Sequence, residues 1–397
     1  MSRNRLRTFL TALSVAWGMF MLSVLLGAGQ GLENGVAWEF RDDAVNSLWV
    51  SNGKTSLPYA GRGPGRQIHF NNGDYDALAA VPNVAERSAR FYMWGEFTVT
   101  YGKNHASFDV RGVHPGHRYI EKTEIIRGRY INDEDIRLRR KVCVIGRRVR
   151  ESLFGDANPI GARLLMRGLY YLVIGEFEDV GGEAELRKIV VPVSTAQFLY
   201  KQPDILHHLM MTLVTDDLEA SKITSEQIQT LMMRRHGVAP EDRRALRVRN
   251  NLEQFKKMTE VFAWIRVFVW IVGVGTLLAG IVGVSNILLI SVAERTKEIG
   301  IRKALGATPA SIVGLVVLEA LIITGTSGYV GLVAGVGVIE LVAQKAGEAP
   351  FFRQPAVDLR LALIATALLT LAGMLAGLVP ALRAARIDPI TALREGN

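Results

Sequence analysis

Cysteine is almost absent from this chain of 397 residues, in which Cys143 is the only one. A single thiol cannot close an internal disulfide, so the cysteine content leaves the redox compartment open. Histidine is sparse as well, and its only close pairs are His114 with His117 and His207 with His208. Without nearby cysteines or an acidic third ligand at metal-site spacing, we expect surface or loop histidines and no metal.

The sequence also lacks a phosphate-binding loop. Gly53, Lys54 and Thr55 resemble the end of one. Such a loop needs a glycine five positions earlier, where Leu48 stands, and a following helix, where Pro58 occurs instead. We also find no catalytic constellation, so we expect no ATP hydrolysis by this chain and no bound cofactor. An enzyme is the least favoured class of function.

Charge is missing from four long stretches of the sequence, residues 8–32, 267–293, 320–339 and 361–382. A helix needs about 20 apolar residues to cross a bilayer, so we predict four transmembrane helices. The first uncharged stretch is longer than the ~7–15 apolar residues of a signal peptide, so we expect it to remain uncleaved.

Basic residues flank these stretches unevenly. They precede the first, lie between the second and third, and follow the fourth: Arg3, Arg5, Arg7, Arg295, Lys297, Arg302, Lys303, Arg383, Arg386 and Arg394. Because lysine and arginine favour the cytoplasmic side, both termini and the segment between helices 2 and 3 are predicted to be cytoplasmic. These residues supply much of the net charge of +9. We therefore expect contact with membrane lipid and no nucleic-acid partner.

Three regions follow: residues 1–32 with the first helix, an external α+β domain at 33–266, and a permease region at 267–397. Strands are predicted at 47–51, 97–101, 107–113, 141–145, 163–166, 170–175, 188–193 and 209–215, by their short apolar runs. Helices are predicted at 74–80, at 147–154, after Ser194 as N-cap, and at 218–236 before Gly237. The glycine-rich segment 52–66 is predicted to be a mobile loop.

Small residues recur four apart in the apolar stretches, as Gly27/Gly31, Ala279/Gly283, Gly331/Gly335 and Gly373/Gly377. Such pairs let helices approach closely, which favours a packed bundle or a dimer. Two intramembrane polar residues stand out, Glu319 and Asn286. An acidic residue at mid-membrane costs about 2.5–3.5 kcal/mol. We expect a structural role for Glu319 near the cytoplasmic interface, and a proton or substrate relay is the alternative.

The segment VAERTKEIGIRKALGATP at 292–309 joins the second and third apolar stretches. Glu298 and Arg302 stand four apart, which supports a helix. Gly306 is typical of a helix end, and Thr308 before Pro309 is typical of the next helix start. We predict a short rigid helix that docks a cytoplasmic partner. A solvated hairpin that merely follows the positive-inside rule is the alternative.

Three stretches carry a family resemblance. Residues 283–322, GVSNILLISVAERTKEIGIRKALGATPASIVGLVVLEALI, resemble the FtsX-like permease core of ABC transporters related to MacB. Residues 144–177, with their LFG, NPIG and VIG motifs, resemble that group's external core. Residues 379–396 resemble its C-terminal end. Unlike MacB itself, the sequence contains no ATPase domain.

The resemblance implies a permease subunit of an ABC exporter in the bacterial inner membrane, working by mechanotransmission. A cytoplasmic ABC ATPase subunit would close in cycles and move the coupling helix. The implied coupling residues are Glu294, Arg295, Lys297, Glu298, Ile299, Gly300, Arg302 and Lys303. Here the charges and Ile299 would meet the ATPase, and Gly300 would permit close approach. A second permease copy, identical or paralogous, and a periplasmic adaptor are the other implied partners.

Two other functions are compatible with the same resemblance. An FtsX-like signal transducer would use ATPase cycling to activate cell-wall hydrolases, although the large external core disfavours it. A lipoprotein-releasing permease would share the plan of four membrane helices. Copurification of an adaptor or a hydrolase would separate the first from an exporter, and a lipoprotein-extraction assay would test the second.

Overall fold

A computed structural model of the chain describes residues 5–39, 43–93, 97–179, 181–346, 353 and 359–389. The predicted cytoplasmic ends at 1–4 and 390–397, with Arg3 and Arg394, lie outside these residues. The chain divides into two compact units. Met1–Ala37 with Thr259–Asn397 forms the helical unit, and Trp38–Met258 forms the sheet unit.

The helices, in chain order, are α1 (Arg5–Glu39), α2 (Asn72–Ala77), α3 (His117–Ile120), α4 (Asp133–Arg137), α5 (Arg147–Phe154), α6 (Glu183–Leu186), α7 (Val193–Leu199), α8 (Leu218–His236), α9 (Asn251–Glu294), α10 (Thr296–Ala304), α11 (Pro309–Ala346) and α12 (Leu359–Ala385). The strands are β1 (Ser47–Asn52), β2 (Val84–Tyr92), β3 (Phe97–Tyr101), β4 (Asn104–Val113), β5 (Glu124–Gly128), β6 (Val142–Gly146), β7 (Arg163–Met166), β8 (Leu169–Glu178), β9 (Lys188–Pro192), β10 (His208–Leu213) and β11 (Leu246–Asn250). A 3-10 turn, Leu78–Ala80, continues α2.

Four helices in the described residues are long and apolar enough to cross a membrane. Their spans are Phe9–Trp38, Asn251–Glu294, Pro309–Lys345 and Ile364–Ala385. The full helices to which these spans belong, α1, α9, α11 and α12, each contain one of the uncharged stretches, so the predicted helices are confirmed as helices.

The predicted small residues bring the long helices into close contact. A Cβ atom added to Gly335 of α11 would lie 2.7 Å from the Cβ of Ser23 on α1. One added to Gly377 of α12 would lie 2.8 Å from the Cβ of Ala320 on α11. Other glycines of the predicted pairs that face a neighbouring helix are Gly27, Gly283, Gly331 and Gly373. Their contacts are made within one chain, as a packed bundle requires.

The sheet unit contains one large sheet with strand order β11-β1-β10-β2-β4-β3-β7-β8-β6-β9, and β5 pairs with β8. Strand β9 also pairs in parallel with β4, which closes the six strands from β4 to β9 along this order into a ring. The antiparallel strands β11, β1, β10 and β2 extend from that ring. The main apolar core, with Phe70, Phe91 and Phe108 among its largest members, lies against the ring and the extension.

Two predictions for the sheet unit are wrong. Ser194 does not cap a helix, because α7 already begins at Val193 and the Ser194 hydroxyl donates to the Ile136 carbonyl at 2.5 Å. His117 is buried in α3 rather than on the surface or in a loop, and His114 is buried although it lies in the loop between β4 and α3. Distant partners hold both rings: the Ala89 amide donates to His114 Nδ1 at 3.2 Å, and the Tyr130 hydroxyl lies 3.1 Å from His117 Nδ1. Burial lowers the pKa of His114 to about 3.

Residues 52–66, the segment predicted to be a mobile loop, are held by hydrogen bonds near the start of the segment. The Gly53 amide donates to the Ala245 carbonyl at 2.9 Å. The Asp242 carboxylate accepts from the Ser56 amide at 2.6 Å and from the Leu57 amide at 3.0 Å. Gly53 lies in the stretch that resembles a phosphate-binding loop, and its amide is hydrogen-bonded to the residue that precedes β11.

Candidate functional site

Two helices are separated by a single residue, Arg295. Helix α9 ends at Glu294 and α10 begins at Thr296, while Arg295 leaves the helical conformation with φ −104° and ψ 18°. The Arg295 amide still donates to the Ser291 carbonyl at 3.1 Å, so the chain turns without losing that hydrogen bond. The predicted short helix is confirmed, and we call residues 294–308 the elbow.

The end of the elbow has the predicted stop and restart. Gly306 adopts φ +98°, a region that favours glycine. Its amide donates to the Lys303 carbonyl at 3.0 Å, and the Ala307 amide donates to the Arg302 carbonyl at 3.0 Å, a Schellman closure. The Thr308 hydroxyl accepts from the Ser311 amide at 3.3 Å and caps α11. Backbone hydrogen bonds therefore hold both ends of the turn.

One face of α10 packs inward. Ile299 is 6% exposed and joins an apolar cluster with Val292 of α9, Val316 of α11 and Ala384 of α12. Gly300 is buried as well. Both residues therefore contribute to the bundle, which corrects the expectation that Ile299 and Gly300 meet a partner.

Two long polar side chains fasten the elbow to its neighbours. Lys303 Nζ donates to the Ala385 carbonyl at 2.9 Å and to the Ile387 carbonyl at 2.6 Å, at the end of α12. A cation there also complements the negative end of the helix dipole. Arg295 Nη1 lies 3.4 Å from Glu319 Oε2 of α11. The elbow is thus bonded to both α11 and α12.

The Arg295–Glu319 pair borders a cavity of about 450 Å³ between α9, the elbow and α11. The lining is otherwise mainly apolar and includes Leu288, Leu315 and Ile322. The ion pair with Arg295 of the elbow fits a structural role for Glu319. Asn286 does not line this cavity and is exposed on α9.

The opposite face of α10 is exposed. The Glu298 and Arg302 side chains, 56% and 46% exposed, pair at 2.8 Å in the predicted i,i+4 arrangement. Beside them, Ile301 is 44% exposed and Leu305 is 83% exposed. Lys297 is exposed on the same short helix. The exposed patch, defined as Lys297, Glu298, Ile301, Arg302 and Leu305, combines apolar side chains with charges of both signs.

Known protein families match this architecture in both units. Residues 8–231 match the MacB-like periplasmic core domain, and residues 270–389 match the FtsX-like permease C-terminal region. The chain belongs to the MacB-like, FtsX-type family of ABC transporter permeases. With its four apolar helices, this permease is a multi-pass membrane protein with a periplasmic domain.

Curated relatives align over nearly the whole permease. The macrolide export ATP-binding/permease protein MacB of Wolinella succinogenes is 29% identical over 394 residues, 98% of this chain and 58% of that protein. The pyoverdine export ATP-binding/permease protein PvdT of Pseudomonas savastanoi pv. phaseolicola is 30% identical over 400 residues, 98% of this chain and 57% of that protein. The permease thus spans somewhat over half the length of these relatives.

Solved structures resemble part of the permease. The periplasmic region of MacB from Actinobacillus actinomycetemcomitans covers 55% of this chain and 95% of its own, with 16% identity and a TM-score of 0.45. The extracellular domain of YknZ from Gram-positive bacteria covers 52% of this chain and 100% of its own, with 20% identity and a TM-score of 0.44.

Sequence reasoning assigned the charged residues, Ile299 and Gly300 of this elbow to one partner-facing surface, whereas the fold sorts the residues by direction. Ile299 faces inward, while Ile301 and Leu305 face outward. Successive helical residues turn by about 100°, so the two-residue step from Ile299 to Ile301 crosses to the far side. The four-residue step from Ile301 to Leu305 stays on one side. The spacing of Ile299, Ile301 and Leu305 was therefore the signal in the sequence from which these directions could have been predicted.

Proposed function

We propose that this chain is the membrane subunit of an ABC exporter and that its exposed patch docks a separate cytoplasmic ATPase subunit. The patch carries the proposal, because it presents Ile301 and Leu305 on a helix whose other face is fixed to the bundle. Burying such side chains in a partner stabilises a complex by up to about 1.5–3 kcal/mol each. Glu298 and Arg302 would add orientation and partner choice.

The contacts of the elbow suggest how movement of the ATPase would be passed on. Three links join the elbow to the long helices: Ile299 in the apolar cluster, Lys303 at the end of α12, and Arg295 with Glu319 of α11. Helix α9 is uninterrupted from Asn251 to Glu294. A push on the elbow would therefore act on three membrane helices together, as mechanotransmission requires.

In this proposal residues 33–266 work outside the inner membrane, and the elbow and both termini lie in the cytoplasm. A second permease copy, identical or paralogous, and a periplasmic adaptor would complete the exporter. The proposed coupling contacts come from Glu294, Lys297, Glu298, Ile301, Arg302 and Leu305. The transported substrate would be exported, since both relatives are named for export, and mechanotransmission implies a periplasmic or membrane-embedded substrate.

The test reverses one charge of the patch. Glu298→Arg breaks the pair with Arg302, which costs only about 0.2–0.5 kcal/mol in an isolated helix. Against a charged partner, like charges in contact cost several kcal/mol. We expect normal membrane levels and thermal stability, with loss of ATPase pull-down and transport.

Two further variants sharpen the result. Leu305→Glu should likewise abolish ATPase pull-down and transport. Its membrane level and thermal stability should stay normal, because an exposed side chain contributes little to the fold. Glu226→Arg, a matched reversal at an exposed position of α8, should leave pull-down unchanged. Undiminished pull-down and transport in both elbow variants would return the segment to the solvated-hairpin interpretation.

A further inference from the structure

One face of the sheet unit carries polar side chains on adjacent strands. Side chains alternate across a strand, so Leu48 and Val50 of β1 enter the apolar core while Trp49 and Ser51 point to the other face. Ser51 stands opposite His208 of β10, which in turn stands opposite Arg90 of β2. The face is therefore polar across three neighbouring strands.

The same polar row continues on both sides. On β11, Arg249 stands opposite Trp49 and Arg247 stands opposite Ser51. On β4, Arg111 stands opposite Tyr92 of β2. Strand β9 adds Lys188 beside β4. Strands that are distant in sequence thus converge on one cationic stripe.

These side chains surround a cavity of about 470 Å³. Its basic lining residues are Arg90, Arg111, Lys188, Arg247 and Arg249, and its acidic lining residues are Asp43, Glu121, Asp179 and Glu185. All the residues that line the cavity belong to the sheet unit, and none belongs to the elbow. Its volume is that of a small-molecule site.

Arg90 is the buried centre of the stripe. It is 5% exposed, it contacts Glu121, and its Nη1 donates to the Tyr92 hydroxyl at 3.2 Å. Its Nε has no hydrogen-bond partner in the described residues. Its guanidinium lies 4.8 Å from the Trp49 ring centroid, and that of Arg249 lies 5.0 Å from the same ring. A buried donor without a partner is costly, and a ligand that accepts its hydrogen bond would remove that cost.

Lys188 lies in the same electropositive surroundings. It is 6% exposed and contacts Glu185. Burial, followed by repulsion from Arg111 and Arg90, lowers the pKa of Lys188 to about 6. Burial and then repulsion from Arg111 also lower the pKa of Arg90. Arg90, Arg111 and Lys188 each contact a carboxylate, of Glu121, Asp109 and Glu185 respectively. Repulsion among the three cations persists beside these pairs, and an anion bound between them would relieve it.

We propose that this cavity binds a small solute through a carboxylate or phosphate group held by Arg90, Arg111 and Lys188. Planar guanidinium groups bind such oxyanions in paired hydrogen bonds, and a buried site strengthens them. Arg249 and Trp49 form the wall beside the anion. The site would give the periplasmic domain a ligand of its own, independent of ATPase docking at the elbow.

Trp49 supplies a built-in reporter for the test, since its ring contacts two of the arginines. The full chain in neutral detergent at low ionic strength is titrated with citrate and with inorganic phosphate while tryptophan fluorescence is followed. Calorimetry on the same samples measures binding directly. Vesicles of phosphatidylglycerol and of phosphatidylcholine form a second arm, which distinguishes a lipid headgroup from a free solute.

We expect a saturable change with at least one anionic probe, and none with phosphatidylcholine. Arg111→Gln and Arg249→Gln should weaken binding at least tenfold. The Arg249 side chain is 44% exposed, so its replacement should leave the fold intact even if changes deeper in the cavity do not. Arg137→Gln is the matched control, because that side chain is 74% exposed on α4 and does not line the cavity. Trp49→Phe should remove the fluorescence change that accompanies binding but retain calorimetric binding.

Absence of saturable binding by every anionic probe would overturn the proposal. So would equal affinity in Arg249→Gln and Arg137→Gln when both are folded. If only phosphatidylglycerol binds and the arginine variants lose it, the oxyanion is that of a lipid headgroup. Pull-down of the ATPase should be normal in all these variants, so a failure here leaves the docking proposal standing.

Discussion

Gly331 of α11 offers a stringent test of how the long helices pack. A Cβ atom added there would lie 2.9 Å from the backbone carbonyl carbon of Ala16 on α1, and still nearer to its oxygen. Backbone cannot rotate away as a side chain can, so α1 and α11 would have to separate. Gly325 and Gly337, on the same helix, would place a new Cβ with nothing within 4 Å. Replacement of glycine by alanine on α11 should therefore cause a clash at Gly331 and none at Gly325 or Gly337.

The expected magnitudes follow from two opposing effects. Alanine in place of glycine stabilises a helix interior by about 0.5–1 kcal/mol. Overpacking a close contact typically costs about 1–3 kcal/mol. Gly337→Ala and Gly325→Ala should thus be neutral or slightly stabilising, while Gly331→Ala should lie roughly 1–3 kcal/mol below them. At about 2–4 °C per kcal/mol for a unit of this size, the gap should reach several degrees.

The assay is thermal unfolding of the purified full chain in one detergent, with the three variants and the parent protein measured side by side. Membrane levels before extraction give a second readout. If Gly331→Ala melts together with Gly325→Ala and Gly337→Ala, then α1 and α11 do not pack at Gly331 as described. That result would also remove the close-packing explanation for the other recurring glycines.

Three further predictions concern topology, the sheet unit and catalysis. A reporter inserted near Gly61 should read as external and one near Ala307 as cytoplasmic, and a cytoplasmic signal from Gly61 would refute the exporter orientation. Asp242→Asn should destabilise the protein by about 1–3 kcal/mol, since a buried carboxylate that accepts from Ser56 and Leu57 is lost. Although burial opposes it, these hydrogen bonds lower the pKa of Asp242 to about 2, so the difference from the parent protein in thermal unfolding should persist above about pH 4 and shrink as pH falls toward 2. The purified chain alone should show no ATPase activity, and hydrolysis that survives removal of every copurifying protein would contradict this.

Local chemistry explains why the elbow could be predicted from sequence. Glu298 and Arg302 interact within one helical turn, and Gly306, Thr308 and Pro309 each act on their immediate backbone. The long helices were predictable for a similar reason, because an uncharged stretch of sufficient length determines its environment by itself. None of these features depends on residues far away in the chain.

Sequence reasoning missed the polar face of the sheet. Strands β2 and β11 were not predicted, since Arg90 in one and Arg249 in the other interrupt the apolar pattern expected of a strand. Both arginines become buried or half-buried only after other strands assemble around them. The pairing of β9 with β4 likewise joins segments that no local pattern connects. Cooperative polar contacts of this kind cannot be recognised one segment at a time.

The apolar side chains of the elbow point in two directions, and this difference indicates what the elbow does. Ile299 packs α10 against the bundle and is already buried there. Ile301 and Leu305 share the opposite face and do not belong to that buried cluster. Exposed ion pairs contribute only about 0–1 kcal/mol, while burial of these two side chains in a complex would contribute several kcal/mol. The affinity of a docked partner should therefore depend mainly on Ile301 and Leu305, with the surrounding charges selecting which partner binds.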